Sequence, residues 1–307
     1  MSGRAAGFAA VVVSALGFGA MGLFAELAYA ENWPPALLLA MRFLFATALF
    51  WSFLPLAARG GARGAWRVSA GTLASLAGMG VFGYAVMGSL LFASYRYVPI
   101  GIATTVFYTY PLWVAALSAA RTKTPIGRRK LGGLLLSLVG LVAMFGDGWR
   151  EPAQAAGFAL AFASALVYAA YILVSERVLR RASPYVSSAY IAAFAAVALT
   201  LTAWATGAFD RLAQPSTWAP WAAAGSLAVV STFGAITLFA VGVRRLGPGA
   251  ASIVSFVEPP AAATLGALFL RQSIEPLQIA GGAVVLLGIL IAETANRGPA
   301  ESRPVAS

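Results

Sequence analysis

The sequence predicts an all-α integral membrane protein with ten transmembrane helices, arranged as two inverted five-helix repeats. Three observations predict it: too few charged residues for a water-soluble surface, ten long apolar runs whose flanking basic residues crowd onto one side, and a second half that repeats the first.

The composition comes first. Of 307 residues, 60% are hydrophobic and 10% are charged, and mean hydropathy is +0.82. A soluble chain carries roughly 25% charged residues, so the outside of this protein must face lipid. The chain has no Cys and no His. That removes disulfides, thiolate chemistry, imidazole metal sites and His-based proton transfer. No metal-ligand spacing, Gly-rich phosphate loop or nucleophile elbow occurs. No metal and no cofactor are expected, and no loop could hold a nucleotide-hydrolysing domain. A net charge of +11 does not point to nucleic acid, because the basic residues sit in short loops between apolar runs. Arg outnumbers Lys 19 to 2, the usage of a GC-rich bacterial genome, and the expected location is the bacterial inner membrane.

Crossing a hydrocarbon core of roughly 30 Å takes about 20 apolar residues. Ten runs qualify: 7–27, 34–57, 70–93, 99–119, 131–148, 155–176, 185–206, 217–241, 247–270 and 276–294. The first could pass for a signal peptide ending at Ala28-Tyr29-Ala30, but it is too long for a typical apolar core of one and it recurs later in the chain, so it is read as a retained helix. With the N-terminus inside, cytoplasmic segments hold 16 of the 21 basic residues and outer segments hold 4 (Arg96, Arg150, Arg211 and Arg271). Arg42 lies within a span. The bias places both termini in the cytoplasm. Trp33, Trp66, Trp149, Trp218 and Trp221 fall at span ends, as interfacial anchors do.

The third observation is self-similarity. GIATTVFYTYPLWVAALSAA from Gly101 matches GAASIVSFVEPPAAATLGAL from Gly249 at an offset of 148, which pairs Pro111 with Pro259, Gly133 with Gly281 and Gly140 with Gly288. SALGFGAMGLFAE from Ser14 matches SALVYAAYILVSE from Ser164 at an offset of 150. The repeats are 7–148 and 155–294, with a disordered cytoplasmic tail over 295–307. Five helices is an odd number, so the second copy is inverted. Inverted repeats of this kind build secondary transporters, in which two arrangements of the halves expose one central site to either side in turn.

The Arg42-Phe43 pair, LFASYRYVPIGIATTVFYTYP, Gly-Pro-Gly-Ala-Ala-Ser followed by Glu258-Pro259, and the Gly-rich fifth and tenth helices make the sequence resemble the drug/metabolite transporter superfamily, specifically chains with two EamA-type domains. The resemblance covers roughly residues 7 to 294. It implies a ten-helix exporter of small metabolites, amino acids or related compounds among them, or of cationic or aromatic drugs, with a central cavity between the halves. The family often has an acidic residue just after the fourth and ninth helices. Here Lys123, Thr124, Arg271 and Gln272 occupy that region, so no role of that carboxylate carries over. Rival classes are a membrane-embedded enzyme, which one Glu and one Arg within the spans support poorly, and a non-transporting scaffold.

Glu258 is the most informative residue. About ten residues into its helix, it lies roughly 15 Å deep at 1.5 Å per residue, where a carboxylate costs about 2.5–3.5 kcal/mol. It is read as a proton-coupling or substrate-ammonium site, or alternatively as a structural ion pair. Arg42 falls at similar depth and is expected to approach Glu258 directly or through water. Pro111 and Pro259 remove backbone hydrogen bonds at equivalent places and are read as hinges or as static kinks. Tyr84, Tyr108, Tyr110, Trp113, Tyr168, Tyr171 and Phe256, with Phe107, supply mid-helix aromatic bulk. They suit an apolar, aromatic or cationic substrate and equally suit plain core packing. The partners expected are therefore the lipid bilayer and a small-molecule substrate. Protons are left open as coupling ion, and so is a homodimer packed through the small residues of the fifth and tenth helices.

Overall fold

The structure, a computed structural model, describes residues 3–58, 66–145, 154–214, 217–270 and 274–295. Arg59, Arg63, Trp149, Arg150, Arg271, Gln272 and the tail from 296 onward lie outside the described residues. Ten helical segments follow in order. α1 (Gly3–Tyr29) is interrupted at Ala20. α2 is Pro35–Ala58 and α3 is Ala70–Ser94. α4 consists of Ile100–Phe107 and Tyr110–Thr122. α5 is Arg128–Met144, α6 is Ala155–Leu179 and α7 is Pro184–Ala205. α8 is Ala219–Leu246, α9 is Pro248–Leu270 and α10 is Pro276–Ala295. No strand occurs among the described residues.

Nine of these segments are long and apolar enough to cross a membrane. α5 has 17 residues and ends at Met144, roughly 26 Å of helix; residues 146–153 are not described. It begins three residues before the apolar run, because Arg128, Arg129 and Lys130 continue the helix into the interface instead of ending it. A basic first turn opposes the helix dipole. Placing positive charge at the membrane surface outweighs that small cost.

The helix contacts are those of a two-fold arrangement. α1 packs on α8 and α3 on α6; α2 packs on α7, α4 on α9, and α5 on α10. Adding five to each helix of repeat 1, and subtracting five from each helix of repeat 2, maps this set onto itself. The closest seam is α5–α10. A Cβ on Gly133 would lie 2.6 Å from the carbonyl oxygen of Gly288, and one on Gly140 the same distance from that of Gly281. The two clashes are images of each other, since Gly133 corresponds to Gly281 and Gly140 to Gly288. Between them Ser137 Oγ donates to the Val285 carbonyl at 3.2 Å, across a sequence separation of 148. These glycines are therefore used inside one chain, where dispersion and weak polar contacts between close backbones replace a hydrophobic driving force. Gly133, Gly140, Gly281 and Gly288 are thus occupied within the chain, whereas Gly132 has open space beside it.

Two of the interruptions recur in both halves. π-helical turns lie at Val81–Val86 in α3 and Leu227–Gly234 in α8. α4 breaks at Tyr108–Thr109, and α9 tightens to a 3₁₀ turn at Ser255–Val257. Pro111 and Pro259 are each the second residue of the helix that resumes. Without an N–H neither can donate to the carbonyl four residues back; behind Pro259 that carbonyl, of Ser255, accepts from the Glu258 N–H instead.

Candidate functional site

The α4 and α9 breaks aim residues at the middle of the bundle. Tyr108 lies in the break of α4 with Tyr110 just after it, and Phe256 lies in the turn of α9 with Glu258 just after it. The π turn in α3 supplies a further residue. An inserted residue in a helix rotates the side chains beyond it, and Tyr84 sits within that turn. Gly83 beside it leaves room for the Tyr171 ring, which a Cβ there would strike. α6 contributes Tyr168 and Tyr171 from one face.

These rings form one connected cluster. Tyr168 and Tyr171 stack at 5.6 Å with planes 6° apart. Tyr110 meets Tyr168 edge-on at 4.8 Å, and Tyr84 meets Tyr171 at 5.3 Å. Tyr108 reaches Tyr110 and Phe256, each at 5.7 Å. Phe107 lies within 5.6 Å of Tyr108, Tyr110 and Tyr168. Each such pair contributes about 0.5–1.5 kcal/mol beyond burial. Trp113 stands apart, edge-on to Phe162 at 5.3 Å, with its indole N–H donated to Thr109 Oγ1. The structure thus joins seven of the eight aromatic residues singled out from sequence and sets Trp113 aside. It adds two more: Phe43, 5.7 Å from Tyr84, and Phe239, 6.5 Å from Tyr168. The Tyr84 hydroxyl is buried without a well-directed hydrogen bond, although it lies close to the Tyr171 hydroxyl.

Arg42 is 6% exposed. Its Nε donates to Thr232 Oγ1 at 2.6 Å, Nη2 to the Ser231 carbonyl at 3.0 Å and Nη1 to Met21 Sδ at 3.0 Å. Its Cζ lies 5.1 Å from the Phe43 ring centroid. A guanidinium has five N–H donors, so two remain. Glu258 lies deep in the bundle within hydrogen-bond reach of the Tyr108 hydroxyl. Its residue nonetheless keeps a partly exposed surface. Arg42 and Glu258 are within electrostatic range of one another, but no direct ion pair between them occurs among the described residues. Arg42 is held instead by the π turn of α8. That turn exposes the Ser231 carbonyl, and Thr232 Oγ1 in turn donates to the carbonyl of Leu227, five residues back.

Both π turns are held from the opposite repeat. Ser14 Oγ in α1 donates to the Ala235 carbonyl at 2.7 Å, directly after the α8 turn. Ser164 Oγ in α6 donates to the Met87 carbonyl at 2.9 Å, directly after the α3 turn. The Ser-Ala-Leu match at offset 150 was the visible sign of this pair, though nothing in it shows what the serines bond.

Polar contacts cross the repeat boundary at both ends. At one end Arg4 pairs with Glu293 at 2.6 Å, joining α1 to α10, and Arg121 pairs with Glu176 at 2.6 Å, joining α4 to α6. At the other, Arg211 Nη2 donates to the Glu31 carbonyl at 2.6 Å, Thr217 Oγ1 to Glu31 Oε1 at 2.8 Å, and Trp33 meets Trp221 edge-on at 5.0 Å.

A polytopic helical bundle with two matched halves, broken helices meeting at its centre and charged residues deep inside is the architecture of a membrane transporter. The EamA-like transporter family matches residues 5–146 and again 155–294, and the chain belongs to that family. A Bacillus subtilis protein, uncharacterized transporter YcbK, is 25% identical over 283 residues, 90% of this chain and 89% of that one. The uncharacterized inner membrane transporter YedA of Escherichia coli K12 is 26% identical over 85% of this chain and 82% of its own length. Another Bacillus subtilis protein, uncharacterized transporter YwfM, is 28% identical over 165 residues, a match that spans about half the length of each chain, 53% and 54%. A solved crystal structure aligns over 97% of this chain and 99% of its own with a TM-score of 0.75 at 22% identity, which shows the fold.

Proposed function

We propose that this transporter exports small metabolites, amino acids or related compounds, by alternating access around the central aromatic cluster. The observation that supports this most is the setting of two opposite charges, Arg42 with two spare donors and Glu258 with part of its surface still exposed, beside a wall of tyrosine and phenylalanine rings. A small molecule with an anionic end, a cationic end and an apolar body would find a partner for each part. Glu258 is read as the group that takes up either the substrate ammonium or a coupling proton. Pro111 and Pro259 are read as paired hinges. The two units are 7–148 and 155–294, both termini face the cytoplasm, and the outward direction rests on the family resemblance.

The experiment is flux in proteoliposomes with a panel of amino acids, organic cations and aromatic drugs. Saturable movement of amino acids, lost in Glu258→Gln, is the expected result. Movement of permanent cations alone would favour drug efflux, the second reading. The tyrosine cluster beside a carboxylate supports that reading through cation–π contact. No flux of any compound from a folded protein would leave an enzyme or a scaffold.

A further inference from the structure

We propose that Arg121, Arg177, Arg180 and Arg181 form a binding site for the phosphodiester headgroup of an anionic phospholipid. The four side chains line one cavity of about 320 Å³, and they come from different elements. Arg121 lies in the last turn of α4, Arg177 in the last turn of α6, and Arg180 and Arg181 just beyond the end of α6.

Charge balance argues for a missing anion. One carboxylate, Glu176, serves the group: its Oε2 meets Arg121 Nη2 at 2.6 Å and its Oε1 meets Arg180 Nη2 at 2.7 Å. Two of the four guanidiniums are thereby held in place. Arg177 and Arg181 have no carboxylate partner among the described residues. The ends of α4 and α6 each add roughly half a negative charge. About two positive charges remain uncompensated around one concavity, enough for one or two phosphodiesters.

Depth selects the source of the anion. Arg121 follows the apolar run of α4 within two residues, and Glu176 closes that of α6, with Arg177 next in sequence. The cluster therefore stands where hydrocarbon gives way to headgroups. In the topology read from the basic bias it faces the cytoplasmic leaflet, where anionic lipids attract clustered arginines at about 1 kcal/mol per residue. Guanidinium forks suit phosphate oxygens better than a lysine ammonium does. Free phosphate shares this chemistry, but it has no acyl chains to hold it at this depth.

The test is a lipid titration of the purified full chain in neutral detergent, read as melting temperature. Short-chain phosphatidylglycerol should raise the melting temperature saturably, whereas phosphatidylcholine and inorganic phosphate should not. The variant R177Q/R180Q/R181Q should bind phosphatidylglycerol on the order of 100-fold more weakly. R128Q/R129Q, basic residues at the same end outside the cavity, should respond like the unaltered chain. Should the triple variant aggregate, R181Q alone reads the same effect at about fivefold. The idea is overturned if inorganic phosphate stabilises as well as the lipid, if removing the arginines changes nothing, or if R128Q/R129Q loses as much as the cavity variant. Since no flux is measured, the result is independent of the proposed substrate.

Discussion

The π turns of α3 and α8 are the same device used for two purposes. Each sits mid-helix, each ends at a carbonyl held by a serine from the other repeat, and each places a residue toward the centre. At the offset of 148 those residues are Tyr84 and Thr232. Tyr84 joins the aromatic wall, with a hydroxyl that has no well-directed bond. Thr232 accepts from Arg42 and, with the Ser231 carbonyl, fixes the guanidinium. The backbone is duplicated and the side-chain chemistry is not. A symmetric scaffold thereby acquires a site with an aromatic side and a charged side.

The comparison breaks most readily at Arg42. Arg42→Gln removes three hydrogen bonds, two of them to oxygen, and leaves the Ser231 carbonyl buried without its donor. A loss of about 3 kcal/mol is expected, seen as a clearly lower melting temperature in detergent together with lost flux. An unchanged melting temperature would mean that the charged side is not braced by the α8 turn.

The next largest effect concerns Glu258 and Tyr108. Glu258→Gln and Tyr108→Phe should each lower flux, and the double variant should be little worse than Glu258→Gln alone, since the Tyr108 hydroxyl lies within hydrogen-bond reach of the carboxylate. The coupling in a double-mutant cycle should be about 1 kcal/mol. Strict additivity would separate the carboxylate from the tyrosine.

Smaller effects test the equivalence of the two turns. Ser14→Ala and Ser164→Ala each delete one bond to a buried carbonyl, worth about 1 kcal/mol, and should lower the melting temperature by similar amounts. A large effect for one and none for the other would show that the turns are not held alike. Tyr84→Phe should change stability least, by under about 0.5 kcal/mol, because its hydroxyl has no well-directed bond to lose. It should still alter the rank order of substrates in the flux panel. If it does not, the Tyr84 hydroxyl is not part of the site.

Much of the fold was legible because a bilayer imposes a simple code: apolar runs long enough to span it, and basic residues at their ends. Nine spans meet length and hydropathy together, and α5 differs only at its ends. The aromatic cluster was partly legible, since Tyr168 with Tyr171 and Tyr108 with Tyr110 share local neighbourhoods and the Pro111–Pro259 equivalence marks where α4 and α9 break. Trp113 looked the same in sequence, but its place in the α4 helix turns it toward Phe162. The holders of Arg42 were not legible. Ser231 and Thr232 are ordinary small residues until a π turn, which has no sequence signature here, exposes a carbonyl among them. The glycines of α5 and α10 announced close contact without naming the partner, and the partner proved to be the other half of the same chain.

The α5–α10 seam carries a practical consequence for anyone who wants to watch this protein work. Ser137 and Val285 sit near the pseudo-axis, between backbones that have no slack. If the halves exchange roles, that spot looks the same before and after, and a spectroscopic label there would be blind to the change. Reporters belong at the two rims instead. The separation of 31 from 211 and that of 4 from 293 should vary in opposite senses, one shortening as the other lengthens.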